Sequence, residues 1–261
     1  DIIRKEAEKA DMVQGFQLFH SLGGGTGSGM GTLLLLKIRD AYPDKITCTY
    51  SVFPSPKVSD TVVEPYNAVL SSHQLLENSD ETFIVDNEAL YNIMHNVLKK
   101  QSVEYKVLNR LIAKVTCGVT ASIRFPGLLN GDLRKLGVNL VPFPRLHFFL
   151  VSYAPLESSD AASKNTVKVK DLTTQVQSAR NFYSNVKADD GKYLAVALTF
   201  RGKSRPENKK TGLSTKEVDD AVKAFQEKGS QNGAFTDWIP NNIKSGIVTI
   251  EDSDAPLSAT S

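Results

Sequence analysis

The sequence predicts an α/β protein: a parallel-sheet domain over residues 1–104, a long core helix over 105–124, and a smaller mixed α+β domain over 125–261. Three observations carry this. Strand and helix patterns alternate from residue 15 to about residue 100, which implies a parallel sheet with helices packed on it. A glycine-rich turn, GGGTGSG from Gly23 to Gly29, joins the first strand pattern to the first helix pattern. An apolar stripe of Leu108, Leu111, Ile112, Val115 and Val119 runs through Tyr105–Ile123 and marks one long helix, a spine between two lobes.

The elements follow in order. Asp1 to Met12 reads as a helix already under way, Gln17 to Leu22 as a short strand, and Met30 to Ala41 as a helix. Ile46, Cys48, Tyr50 and Val52 fall on one face of the next strand by period two. Pro65 suits the first position of a helix, where its missing N–H costs nothing. Thr82 to Val85 is a strand and Glu88 to Lys99 a helix. Beyond the spine, Leu146–Tyr153, Lys192–Phe200 and Ser245–Ile250 read as strands, separated by helical patterns at Leu172–Tyr183 and Val218–Phe225. Ser214 and Glu217 have capping-box spacing for the latter. Residues 203–213 are polar and rich in breakers, so they read as an exposed loop, and no internal repeat is found.

Composition bounds the function without choosing it. Of 261 residues, 41% are apolar and 23% charged, ordinary for a soluble globular chain. The longest aliphatic stretch, Leu33 to Leu36, is too short to span a bilayer. A net charge of +2 points to no nucleic-acid partner, and the basic clusters at 164–170 and 203–210 lack an aromatic platform. Cys48 and Cys117 lie far apart and suggest reduced, buried thiols in a cytosolic chain. Among His20, His73, His95 and His147 there is no metal-ligand spacing. The ends read as those of a partial sequence.

The glycine turn carries the chemistry. Glycines between a strand and a helix let backbone N–H groups converge at the positive helix end, where a phosphate is stabilised. Ser21 and Thr26 add hydroxyls. No Lys-Ser/Thr follows the turn, so it is not the lysine-bearing phosphate loop, and no glycine pairing in it satisfies G-x-G-x-x-G.

The same string, continued as GGGTGSGMGTLLLLKIR, resembles the phosphate-binding loop and following helix of the tubulin family. The likeness extends through SVFPSPKVSDTVVEPYNA (Ser51–Ala68), DNEALYNI (Asp86–Ile93), LNGDLRKLGVNLVPFPRLHFF (Leu129–Phe149) and DWIPNN (Asp237–Asn242). It implies a GTP-binding domain lacking its first strands, the core helix and an intermediate domain, in a microtubule subunit of the cytoplasmic cytoskeleton. By that resemblance Ser21, Gly24, Gly25, Thr26 and Gly27 contact phosphates, and Asp60 and Glu64 lie near the ribose. A carboxylate accepting both sugar hydroxyls gives that role a physical basis, while a helix cap and first-turn charge is the alternative for the same pair. Asn87 and Asn109 match asparagines that read guanine, and Tyr105 matches an aromatic that stacks on it. An amide offers the donor and acceptor a guanine edge needs, although Asn87 alone reads as an N-cap.

The chain also departs from the family. Lys106-Val107 stands where β-type tubulins usually carry Gly-Asp, and Arg110 replaces a histidine, which puts taxane-type binding in doubt. The segment Glu157 to Val167 lacks the arginines and aromatic of the usual side-contact loop, and residues 203–213 look expanded. Lys135 points to the β-type subunit: an α-type chain places an acid there, facing the neighbour's nucleotide. A protonated lysine stabilises triphosphate charge but does not deprotonate water. The resemblance thus implies GTP hydrolysis completed in trans by an α-tubulin partner, no catalytic residue within this chain, and Mg2+ held by phosphates and by an acid preceding this sequence. The alternative is a non-polymerising or unusually assembling tubulin-like GTP-binding module.

Overall fold

The computed structural model describes residues 1–55, 57, 61–99, 104–125, 131–156, 168–202, 213–239 and 242–249, with only the backbone of residues 189 and 258–260. The first sheet is wholly parallel in the order β1-β2-β3-β4, from β1 (Gly15–Ser21), β2 (Ile46–Phe53), β3 (Glu81–Asp86) and β4 (Phe148–Leu150). Helix α1 (Ile2–Glu8) precedes it and buries no residue. A π-helical turn, Thr26–Met30, runs straight into α2 (Gly31–Ala41), so the helix begins inside the glycine motif rather than at Met30. Then come α3 (Glu64–Asn78) and α4 (Asn87–Asn92), the second continued by a π turn at Ile93–Val97.

The period-two pattern of β2 marks only half of its burial. Cys48 and Tyr50 face the larger core, but Thr47, Thr49 and Ser51 on the other face are buried as well. Their hydroxyls are used: Thr47 donates to the Asn78 carbonyl at 3.0 Å, and Thr49 donates to Thr82 Oγ1 at 2.9 Å. A central strand covered on both sides can hold polar side chains only when they are paired like this.

The spine holds its whole apolar stripe but stops short of the expected end at Ile123. Helix α5 (Tyr105–Val119) buries Leu108, Leu111 and Val115 against Tyr50, Phe83, Leu90 and Met94. It ends at Thr120, whose hydroxyl donates back to the Thr116 carbonyl at 2.7 Å, and a short α6 (Ala121–Arg124) follows. On the opposite face of the sheet, Leu22, Leu35 and Leu75 form a smaller core beneath α2 and α3.

The stretch expected as one strand at Leu146–Tyr153 divides. β4 joins the first sheet, while β5 (Tyr153–Ala154) enters a second sheet of order β5-β8-β6-β7, with β6 (Val196–Gly202), β7 (Ile243–Thr249) and β8 (Ser258–Thr260). Between them, α7 (Leu133–Leu140) precedes β4, and α8 (Val169–Val176) and α9 (Thr215–Gln231) cover the second sheet. Leu172, Val176, Leu198, Phe200, Val218 and Phe225 make its core. Ser214 occupies the N-cap position of α9, yet its side chain makes no capping bond. The predicted exposed loop at 203–213 and side-contact segment at 157–167 lie outside the described residues, except Leu213, which is buried. No helix among the described residues is long and apolar enough to cross a membrane.

Candidate functional site

The parallel register brings the carboxyl ends of three strands to one edge. Ser21 pairs with Val52, Val52 with Val85, and Phe53 with Asp86. The glycine turn leaves β1 there, the segment toward α3 leaves β2, and α4 begins directly after β3. Crevices at this edge are where parallel sheets gather ligands.

Within the turn the glycines divide by role. A Cβ on Gly27 would run into the Ser21 carbonyl and lie 2.9 Å from its amide nitrogen, so this glycine lets the helix pack against β1. A Cβ on Gly24, Gly25 or Gly29 would meet nothing within 4 Å. Those positions border open space, at a helix start whose first amides have no intrahelical acceptors. A phosphate oxygen fits such a cradle. Ser21 Oγ accepts from the Gly23 amide at 3.3 Å, which leaves its hydroxyl proton for a further acceptor. Thr26 opens the π turn.

His20 holds this geometry in place. Its Nδ1 lies 2.8 Å from the Gly27 carbonyl and must donate, so in the neutral ring Nε2 accepts from the Ser51 hydroxyl at 2.7 Å. Burial lowers the pKa of the ring, favouring that neutral form, against the opposing pull of the Gly27 bond. Ser28 closes the turn from the helix side, donating to the Gly24 carbonyl at 2.5 Å. Sequence reasoning passed over both. A serine four residues after a glycine at a helix start was the available signal for Ser28, whereas His20 needed the register of β1 with β2.

Glu64 opens α3 against the turn: a Cβ on Gly23 would lie 3.1 Å from its Cδ. Asn67, one turn later, donates to the Gly23 carbonyl at 2.9 Å. The fold therefore brings Glu64 to the glycine turn, while Asp60 lies outside the described residues.

Asn87 is not the N-cap that its isolated position suggests. Asp86 caps α4, its carboxylate accepting from the Glu88 amide at 2.9 Å, and Asn87 is the first helical residue with its side-chain amide free of that duty. Burial raises the Asp86 carboxyl, and the Glu88 amide pulls it back. Glu88, itself buried, accepts from Ser55 Oγ at 2.7 Å and pairs with the Lys57 ammonium at 3.0 Å. The Ser55 hydroxyl foremost, then Lys57, holds its carboxyl below the usual range.

Asn109 lines a cavity of about 410 Å³ between α5 and the sheet, with Phe19, His20, Tyr50, Val52 and Val85 on the opposite wall. Tyr105, one turn before it, is 71% exposed at the start of α5. Cys117 lines the same cavity and is exposed, contrary to the buried thiol expected; it falls outside the apolar stripe of α5, while Cys48 is fully buried. Both thiols are free.

Lys135 belongs to a different end of the molecule. It sits exposed in the first turn of α7, capped where its amide donates to Asp132 at 2.7 Å. Gly137 of the same helix packs on Glu81, the first residue of β3, and Arg134 donates to the Asp44 carbonyl ahead of β2 at 2.8 Å. α7 therefore lies at the amino ends of the strands, away from the glycine turn.

A parallel sheet with a glycine turn at its carboxyl edge, a capped α4 beside it and a spine helix behind is an α/β domain of the class that gathers ligands at that edge. The description "Tubulin/FtsZ family, GTPase domain" matches residues 1–95, and "Tubulin C-terminal domain" matches residues 144–258. The chain belongs to the tubulin family. It is 55% identical over 260 residues to the tubulin beta chain of Candida albicans, covering 100% of this chain and 56% of that protein. Against the tubulin beta chain of Pyropia yezoensis the identity is 53% over 259 residues, covering 99% of this chain and 54% of that protein. The tubulin beta-1 chain of Chondrus crispus is 54% identical over 259 residues, with 99% and 55% covered. The chain spans a little over half the length of these relatives.

Proposed function

We propose that this chain is the GTP-binding, β-type subunit of an α/β-tubulin heterodimer, acting in the microtubule cytoskeleton of the cytoplasm. Ser21, Gly24, Gly25, Thr26 and Gly27 hold the phosphates, Asp60 and Glu64 the ribose, and Asn87, Tyr105 and Asn109 the guanine. Magnesium would be held largely by the phosphates, where it would supply charge neutralisation on the triphosphate. The chain's residues bind and orient; hydrolysis is completed in trans by the neighbouring subunit. Membrane spans and nucleic acid have no part in this reading.

The observation that carries the proposal is polarity. The glycine turn lies at the carboxyl ends of one parallel sheet, and Lys135 on α7 lies at the amino ends. A subunit with its nucleotide turn at one end and a neighbour-facing residue at the other suits head-to-tail stacking, each interface completed by two chains. The test is a competition experiment on the full-length chain: GTP should displace a bound guanine nucleotide far better than ATP. Equal competition by ATP overturns the assignment of Asn87 and Asn109.

A further inference from the structure

Glu88 has no role in the nucleotide contacts assigned above, yet it is the carboxylate most thoroughly engaged near them. Its side chain is only 9% exposed, in a helical turn whose neighbours Ala89 and Leu90 are buried. A carboxylate is costly there unless its oxygens are occupied. Both are: Oε2 accepts from Ser55 at 2.7 Å, and Oε1 pairs with Lys57 at 3.0 Å. The Asn185 side chain reaches it as well. The Lys57 side chain is 77% exposed, so its share of the interaction is screened by water, and the Ser55 bond is the principal tie.

We propose that Glu88 is a positioning residue for guanine selection, clamping Ser55 and Lys57 to the first turn of α4 so that Asn87 is held in register with the base. The proposal rests on the nucleotide reading above. Asn87 lies between two anchored residues. On one side the Asp86 amide donates to the Tyr183 carbonyl at 2.8 Å, while its carboxylate caps α4. On the other, Glu88 is bound to Ser55 and Lys57. An amide that must present a donor and an acceptor together gains discrimination only when its backbone is fixed beforehand. The phosphates are held elsewhere, by the glycine turn after β1. Loosening the clamp therefore costs base selection and leaves triphosphate affinity intact.

The experiment uses the full-length chain and titration calorimetry with GTP, ATP and inorganic tripolyphosphate. Glu88→Ala should weaken GTP binding about ten-fold, the worth of one neutral hydrogen bond between the Asn87 amide and the base, with tripolyphosphate affinity unchanged. Glu88→Gln keeps an acceptor for Ser55 and should restore most of the GTP preference. Ser55→Ala, a smaller change to the fold, should show the same selective loss. Glu88→Ala introduced into Asn87→Ala should add no further loss. Equal losses for GTP and tripolyphosphate, or full additivity with Asn87→Ala, would show that Glu88 merely holds the fold and overturn the proposal. A different outcome, GTP bound no better than ATP by the unmodified chain, removes the nucleotide reading and the proposal with it.

Discussion

The imidazole of His20 holds Gly27: Nδ1 donates to the glycine carbonyl at 2.8 Å, and the far side of the ring is fixed by Ser51 at 2.7 Å. One side chain on β1 thereby ties the first turn of the glycine motif to β2. His20→Ala should cost ~1–3 kcal/mol, because a half-buried carbonyl and hydroxyl lose their shared partner. Guanine-nucleotide affinity should fall with it. The pH dependence has a definite sign. Burial puts the folded pKa below 6.5, so the folded state binds fewer protons than the unfolded chain. The contribution is intact above the unfolded pKa and is lost as pH falls through the folded one. Urea titrations in mild acid should show this loss in the natural chain and not in His20→Ala.

Alanine substitutions in the same motif should fall into two opposite classes. Gly27→Ala drives a methyl into the Ser21 backbone, so it should lower the melting temperature and displace the helix start. Gly24→Ala and Gly25→Ala project into open space, and neither residue has a positive φ. They should fold normally and lose nucleotide affinity, because the added methyl takes the room a phosphate oxygen needs. Calorimetry paired with thermal melts separates the two classes. Unchanged affinity in Gly25→Ala would mean that the turn is structural only.

Much of this architecture was legible in the sequence, because the alternation of strand and helix patterns is a local signal. The parallel sheet, the strand at Thr82–Val85 and the helix opened around Pro65 all follow from periodicity and turn chemistry. The site was legible only in part. The glycine run announced an anion cradle, but the division between Gly27, which packs, and Gly24 and Gly25, which face space, depends on how closely β1 approaches the helix. Asn87 looked like a cap because the sequence does not say that Asp86 takes that place. The ties from His20 to Ser51 and from Glu88 to Ser55 join residues more than thirty apart in the chain, so no local pattern carries them.

Glu81 gives the molecule a second titration. It is 1% exposed, and neither carboxyl oxygen has a hydrogen-bond partner of good geometry. Burial, reinforced by the Asp80 charge, pushes its pKa up to about 8, with the Gly137 amide opposing. The folded state therefore keeps a proton that the unfolded chain releases near 4.5. Stability from this group is complete below the unfolded pKa and is lost as pH rises toward 8, by an amount on the order of a few kcal/mol. Glu81→Gln, neutral throughout, should flatten that decline. Denaturant midpoints between pH 5 and 9 will decide it. An unchanged slope would mean that Glu81 ionises freely within the fold.

The last prediction concerns hydrolysis across the interface. Lys135 is exposed in the first turn of α7, at the opposite end of the strands from this chain's own glycine turn. A lysine ammonium offers three donors and no acceptor, so it stabilises a neighbour's triphosphate without orienting water for attack. The chain alone should hydrolyse GTP very slowly, and an α-type partner should accelerate hydrolysis in step with filament formation. Lys135→Glu replaces the cation with a carboxylate able to orient water, so filaments carrying it should turn over the partner nucleotide that otherwise stays inert. The substitution is at an exposed position and leaves the Asp132 cap on the backbone amide intact, so folding should be unaffected. Phosphate released per subunit, measured with and without the partner, reads the outcome directly. Rapid hydrolysis by the dilute, unassembled chain would show that this chain carries a complete catalytic site and would end the shared-site mechanism.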